Sequence, residues 1–166
     1  DWLRVLGQQQ KWSLFLEEYH LLNSNEDPEL SCCVLQARLQ RNDPGVFQEG
    51  RRKWLSGTEY AASCRPLFEG MIAAGELKTE DVWARIRLAL ELGNISVARQ
   101  AAQYLPEMQK NGFQEVEKVA ENPQRFLDAG NGNLQSRTER ELTMFAIYRL
   151  ARSQPMLALT PWNRVR

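Results

Sequence analysis

Apolar residues recur every three or four positions along this chain of 166 residues, and that spacing limits its possible folds more than any other feature. After Thr79, for example, Trp83, Ile86 and Leu90 fall on one face of a helix. Such spacing is typical of amphipathic helices, whereas half-buried strands alternate strictly, a pattern nearly missing here. Short polar breaks rich in Asn, Asp, Gly and Pro separate the apolar stretches. The pattern predicts an all-α protein.

About ten helices are expected, grouped into hairpin units of roughly 30–40 residues. Units of that size are typical of helical solenoids, so the predicted fold is a superhelical solenoid of antiparallel helix hairpins. No strict repeat consensus is present, in particular no tetratricopeptide pattern. The expected helices are residues 2–6, 11–22, 28–40, Pro44 to Gly57, 61–74, Thr79 to Gly93, Asn94 to Leu105, 107–121, 123–129 and 136–153.

Several residues at the breaks are suited to begin or end helices. Asp43 precedes a proline and suits a cap position, and Thr79 offers a hydroxyl cap for the helix that follows it. Gly57 is able to adopt the left-handed conformation that closes a helix, and the helix over residues 61–74 is expected to end at Gly75. Pro155 is expected to end the last helix.

The charge balance argues against a polyanionic partner. Lysine and arginine number 21, aspartate and glutamate also number 21, and the two signs are interspersed. A neutral, mixed surface gives no strong attraction to nucleic acid or to an anionic membrane surface. No apolar run approaches the roughly 18 residues that a transmembrane helix requires. We therefore expect neither nucleic acid as a partner nor a transmembrane segment.

The two ends indicate a piece of a longer protein. The chain begins at Asp1 rather than at Met, without a basic and apolar leader, and it closes on an aromatic and a valine within its last five residues. A length of 166 residues is enough for one domain or for part of a larger one.

Taken by themselves, the three cysteines are interpreted either as buried thiols or as ligands of a zinc site. Cys32, Cys33 and Cys64 are an odd number, consistent with buried thiols of a cytosolic helical protein. A zinc site is disfavoured because the single His20 is remote and no pair of cysteines is separated by two residues. We therefore expect no metal and no cofactor.

One long stretch of the sequence has a distinctive order of residues. It contains Trp54-Leu55-Ser56-Gly57, Cys64, Arg85-Ile86-Arg87-Leu88-Ala89-Leu90, Gly93-Asn94 and Tyr104-Leu105-Pro106. In this order and spacing the stretch resembles the helical superhelix, or U-shaped region, of the soluble lytic transglycosylases. The resemblance covers most of the chain and is strongest over residues 52–106. It depends on packing residues, which are less specific than catalytic motifs.

The resemblance implies a periplasmic parent enzyme that cleaves the glycan strands of peptidoglycan. It implies that residues 1–166 are part of one α-superhelical domain, that the precursor carries a signal peptide, and that association with the outer membrane is a further possibility. It also implies a disulfide between Cys32 and Cys64, with Cys33 free. Such a bridge closes a loop of about 33 residues.

The family's catalytic motifs do not occur in the sequence. In the family, a glutamate within a Glu-Ser motif acts in a separate lysozyme-like domain, near a Gly-Leu-Met-Gln motif. Gly70-Met71-Ile72 does not match the second motif. The resemblance therefore implies that the catalytic domain is not in this chain, and no residue is predicted to be catalytic.

The remaining polar candidates have ordinary structural interpretations. The carboxylate pairs Glu17-Glu18, Glu80-Asp81 and Glu139/Glu141 fit solvated helix faces or first turns better than a glycosidase pair. His20 is interpreted as a surface or packing residue. The Gly130 to Asn133 segment follows a helix rather than a strand, so it is a turn and not a phosphate cradle.

Tryptophans and arginines carry the two subtler alternatives. The tryptophans are interpreted mainly as core, although exposed ones would be able to stack on sugars. The arginines are interpreted as solvated helix faces, with an inner wall that meets the carboxylates of peptidoglycan stem peptides as the alternative. The residues concerned are Trp2, Trp12, Trp54, Trp83 and Trp162, and Arg51, Arg52, Arg85, Arg87, Arg137, Arg140 and Arg149.

Two functional hypotheses follow. The first is a non-catalytic scaffold segment of a soluble lytic transglycosylase, whose partners are the rest of the superhelix, the catalytic domain and, through the parent enzyme, peptidoglycan glycan strands. The second is a free-standing helical-repeat adaptor that binds a protein on its concave face.

Overall fold

A computed structural model describes residues 2–22, 27–130 and 134–166. Within those residues all regular secondary structure is helical. The chain forms two compact units, Asp1–Asp81 and Val82–Arg166. Most of the polar break predicted at 23–27 and the centre of the loop predicted at 129–133 lie outside the described residues.

Over its described residues, 2–22 and 27–81, the first unit contains five helices and the start of a sixth. Helix α1 packs against α2 and α3, and α3 packs against α4 and α5. Each of these contacts joins helices close in sequence, as expected of successive hairpins. The helices are α1 (Trp2–Gln8), α2 (Trp12–Leu22), α3 (Pro28–Gln40), α4 (Gly45–Trp54) and α5 (Cys64–Ala73).

The second unit is built around its longest helix. Helix α11 packs against α8, α9, α10 and α12, while α7 packs against α9 and a 3-10 turn at Phe113–Glu115. Helix α6 (Thr79–Glu91) crosses the boundary between the units. The others are α7 (Ile95–Ala102), α8 (Glu107–Gly112), α9 (Val116–Glu121), α10 (Pro123–Asp128), α11 (Arg137–Ser153) and α12 (Pro155–Val165).

Each unit encloses its own apolar core. One cluster in the first unit joins α1, α2 and α3, and another part of its core surrounds the fully buried Trp54 and Phe68. In the second unit, the alanine face predicted for residues 98–105 is buried, which allows close approach of a neighbouring helix. The first cluster consists of Leu3, Leu6, Phe15, Leu16, Leu30, Cys33 and Ala37.

Helix ends follow the predicted chemistry at some positions and not at others. Gly75 has φ +75° and closes α5 as predicted. Gly57 was expected to close α4 in the same way, but that expectation is wrong: α4 ends at Trp54, and Leu55 caps it with φ −75°. Thr79 is the first residue of α6, where the Asp81 carboxylate accepts a hydrogen bond from the Lys78 N–H at 2.9 Å.

Helix α12 was not predicted. Pro155 was expected only to end the preceding helix, and α11 does end at Ser153. The same proline occupies the first turn of α12, a position where its fixed φ and missing N–H are tolerated.

Two buried threonines on α11 give a matched pair for a stability test. The Thr138 hydroxyl donates to the Gln109 carbonyl at 3.0 Å, whereas the Thr143 hydroxyl has no hydrogen-bond partner among the described residues. An unsatisfied buried hydroxyl costs about 1–3 kcal/mol. We therefore expect Thr143→Val to raise the free energy of unfolding by about 1 kcal/mol and Thr138→Val to lower it by a similar amount. Urea titration followed by circular dichroism measures both, and equal effects of the same sign would contradict the assignment.

Candidate functional site

A disulfide joins the first unit's α3 to the start of α5. It links Cys32 to Cys64 with Cα atoms 5.0 Å apart, and both cysteines are buried. This is the pairing that the family resemblance implies. The covalent link fixes the two helices to each other across 32 positions of sequence.

A polar network surrounds the disulfide. The Glu29 carboxylate accepts hydrogen bonds from the N–H groups of Ala62 and Ser63 at 3.2 and 3.1 Å. The Ser63 hydroxyl donates to the Glu29 carbonyl at 2.8 Å, and the Gln36 amide donates to the Ser63 carbonyl at 2.7 Å. These bonds hold the segment before α5 against α3 beside the bridge.

The network makes part of the stability dependent on pH. Hydrogen bonds from Ser63 and from the Ala62 N–H lower the pKa of the Glu29 carboxyl below its ordinary value of 4.5, against the opposing effect of partial burial. A lowered pKa means that this stabilisation is present above pH 4.5 and is lost as the pH falls through the folded-state value.

We expect Glu29→Gln to flatten the acid limb of the stability curve. The wild-type free energy of unfolding should fall as the pH drops below 4.5, and the variant should fall less steeply because it has no carboxylate at this place. Urea midpoints at a series of pH values measure this, and identical slopes in wild type and Glu29→Gln would contradict it.

Cys33 is the free cysteine among the described residues, and it is buried. Burial raises the pKa of its thiol, which keeps it in the unreactive protonated form. Helix α1 approaches it closely at Gly7, where an added Cβ would lie 2.7 Å from the Cys33 sulfur.

Trp54 and Arg51 both contact Asp81, which gives the first unit a second group of polar contacts apart from the disulfide network. The Trp54 ring is fully buried, and its indole N–H donates to the Asp81 carbonyl at 2.8 Å. The Asp81 carboxylate, itself buried, is paired with Arg51. The two carboxylates of the predicted pair Glu80-Asp81 therefore differ. Asp81 is buried and binds Arg51, whereas Glu80 is exposed.

In the second unit, two of the predicted arginines converge on one carboxylate. Glu141 accepts hydrogen bonds from Arg87 at 2.7 Å and from Arg137 at 2.8 Å. The Arg137 guanidinium also lies over the ring of Trp83, 5.9 Å from its centroid. Arg85 departs from the solvated interpretation, because it is 1% exposed.

The remaining candidates are on surfaces or at helix ends. His20 and Glu17 are exposed, and Glu139 forms a capping box with Ser136 at the start of α11. Of the tryptophans, Trp54 and Trp83 are core, whereas Trp2 and Trp162 are 56% and 42% exposed. Within residues 2–22, 27–130 and 134–166, no cluster of His, Cys, Asp and Glu is suited to hold a metal ion. In the same ranges, no helix is long and apolar enough to cross a membrane.

The fold and the disulfide together define a class: an all-α protein built of packed helix hairpins, two of whose helices are joined by a disulfide. Over 99% of its length, the chain is similar to 26% of the chain of an inactive mutant of the lytic transglycosylase Slt from Pseudomonas aeruginosa, with a TM-score of 0.75 and 29% identity. The 70 kDa soluble lytic transglycosylase of Escherichia coli is similar in fold over 95% of this chain and 25% of its own, with a TM-score of 0.72 and 21% identity.

A complex of the 70 kDa soluble lytic transglycosylase with bulgecin A gives the same similarity, with a TM-score of 0.72. No protein-family model and no curated protein sequence matches the chain. The chain thus spans about a quarter of the solved enzymes that it resembles. The resemblance to soluble lytic transglycosylases and the predicted class, an all-α superhelical solenoid, are confirmed.

Proposed function

We propose that this chain is a non-catalytic scaffold segment of a soluble lytic transglycosylase. The parent enzyme would cleave the bond between N-acetylmuramic acid and N-acetylglucosamine in peptidoglycan and leave 1,6-anhydromuramic ends. Residues 1–166 would form part of one superhelical domain that supports the catalytic domain and limits which glycan strands reach it.

The observation that carries the proposal is similarity over the whole chain to one part of a much longer lytic transglycosylase, at 29% identity. The sequence adds support, because it has neither the Glu-Ser nor the Gly-Leu-Met-Gln motif of the family's catalytic domain. The acidic residues singled out as a possible glycosidase pair instead cap helices, bind arginines or face solvent.

The carboxylates of this chain are suited to a structural role rather than to catalysis of glycoside cleavage. Glycoside hydrolysis uses two carboxyl groups facing a bond across a cleft. Here the buried carboxylate of Asp81 and the half-buried carboxylate of Glu141 are each paired with arginine. Buried, paired charges fix side chains in place, which serves a rigid wall.

The disulfide supports a periplasmic location. Structural disulfides persist in oxidising compartments, including the bacterial periplasm, and are rare in the cytosol. We propose that the precursor has a signal peptide. Osmotic-shock fractionation would test the location, and recovery with the outer membrane would add the proposed membrane association.

The proposal is tested by the coding sequence that follows Arg166. A lysozyme-like segment with Glu-Ser and Gly-Leu-Met-Gln motifs is expected there. A stop codon directly after Arg166 would overturn the scaffold role and would leave the free-standing adaptor as the function to pursue.

A further inference from the structure

A groove of about 410 Å³ lies on the second unit. Its lining includes two basic residues of α11, Arg149 and Arg152 (the basic side), and two acidic residues, Glu91 at the end of α6 and Glu121 at the end of α9 (the acidic side). Tyr148 also lines the groove. The groove is separate from the disulfide and its network, which belong to the first unit.

The basic side is oriented by aromatic rings. The Arg149 guanidinium lies 5.9 Å from the centroid of Phe145, and that of Arg152 lies 5.8 Å from the centroid of Tyr148. Arg152 also donates to the Tyr148 hydroxyl at 3.2 Å. Stacking restricts a guanidinium's orientation, so less conformational entropy is lost when it binds a carboxylate.

The acidic side gains from the direction of α6. Glu91 is the last residue of this 13-residue helix, whose carboxyl end carries partial negative charge. The Tyr148 hydroxyl donates to the Glu91 carbonyl at 3.4 Å, which fixes that end beside α11. Glu121 adds a second carboxylate.

The two sides do not neutralise each other. Among the described residues, the ion pairs of α6 and α11 join Asp81 to Arg51 and Glu141 to Arg87 and Arg137, and none joins Glu91 or Glu121 to Arg149 or Arg152. Two cations and two anions therefore line one groove with their charged groups available to a ligand.

We propose that this groove binds a short zwitterionic peptide. Its carboxylates would pair with Arg149 and Arg152, and its ammonium group with Glu91 and Glu121. A polyanion would be repelled by the glutamates, and an uncharged glycan would leave all four charges unpaired. The source of the peptide rests on the proposed function. If that function holds, the ligand would be a peptidoglycan stem peptide, which carries both kinds of charge.

The test is titration of the 166-residue chain with the tripeptide L-alanyl-γ-D-glutamyl-meso-diaminopimelate, followed by calorimetry and by NMR of labelled protein. Saturable binding is expected, with shifts centred on α11 residues 148–153. The same peptide with its amines acetylated should bind about tenfold more weakly, as should the peptide with its carboxylates amidated. A neutral chito-oligosaccharide should not compete.

Three variants make the assignment specific. Arg152→Gln should lower the affinity for the tripeptide about tenfold. Glu91→Gln should lower the affinity for the free-amine peptide and leave the affinity for the acetylated peptide unchanged. Arg164→Gln removes the same charge from an exposed position on α12 outside the groove, and it should have no effect. Circular dichroism confirms that each variant is folded.

Absence of binding, or equal loss with Arg164→Gln, would overturn the site. That outcome is distinguishable from failure of the scaffold role. If the parent protein acts on peptidoglycan but this chain does not bind the tripeptide, only the proposed binding site in the groove is contradicted. Tripeptide binding by a chain whose parent has no such activity refutes only the scaffold role.

Discussion

The free energy of unfolding should fall by about 3–4 kcal/mol when Cys32 and Cys64 are both replaced by alanine. The bridge closes a loop of about 33 residues. In the chain-entropy treatment, its removal raises the conformational entropy of the unfolded chain and so stabilises the unfolded state by that amount. Urea titration followed by circular dichroism at 222 nm measures the change. The loss is a large part of the stability of an ordinary domain, which is about 5–15 kcal/mol.

Two controls separate the bridge from packing. Cys33→Ala changes a buried cysteine but keeps the disulfide, so it should cost about 1 kcal/mol. A reductant should destabilise the wild type and leave the double-alanine variant unchanged. Three free thiols in the denatured, unreduced wild-type protein would show that the bridge does not form.

Trp54→Ala should cost about 3–5 kcal/mol, the range measured for large aromatic residues removed from cores. The ring is fully buried and lies edge-to-face against Phe68, 5.1 Å between centroids. Its loss leaves a cavity and also removes the indole hydrogen bond to the Asp81 carbonyl. Thermal and urea unfolding measure the effect.

Trp54→Phe isolates the hydrogen bond, because it keeps an aromatic ring but has no N–H to donate to Asp81. It should cost about 1 kcal/mol more than ring size alone explains. Trp2→Ala removes a tryptophan that is 56% exposed and should change stability by less than about 0.5 kcal/mol. Equal effects of Trp54→Ala and Trp2→Ala would contradict the core role of Trp54.

The helical class was predictable because apolar periodicity and polar breaks act locally. Helix α3 begins at Pro28 and ends at Gln40 as expected, and Gly75 closes α5 in the left-handed conformation. The end of α4 was not predictable in the same way. Trp54 is held by the Asp81 carbonyl, a contact distant in sequence, and the chain leaves the helix before Gly57.

Helix α12 was missed because Pro155 has two meanings in sequence. A proline after an apolar stretch indicates a helix end, but it also suits the first turn of a new helix. Only the packing of Ala158 against Ile147 and Leu150 distinguishes the two.

Charged residues show where sequence reasoning stops. Glu91, Glu121 and Arg152 lie far apart in sequence, and no motif joins them before the helices pack. One signal was present: Tyr148 and Arg152 are four residues apart on a helix, a spacing that places them side by side. The burial of Arg85 had no such signal, since its neighbours in sequence are typical of an ordinary amphipathic helix.

The central claim, that this chain is a non-catalytic wall of a lytic transglycosylase, is tested most directly by mass spectrometry of the products released from purified peptidoglycan. The complete natural protein should release fragments with 1,6-anhydromuramic ends, and residues 1–166 alone should release none. Anhydro products from the segment alone, or none from the complete protein, would contradict the account.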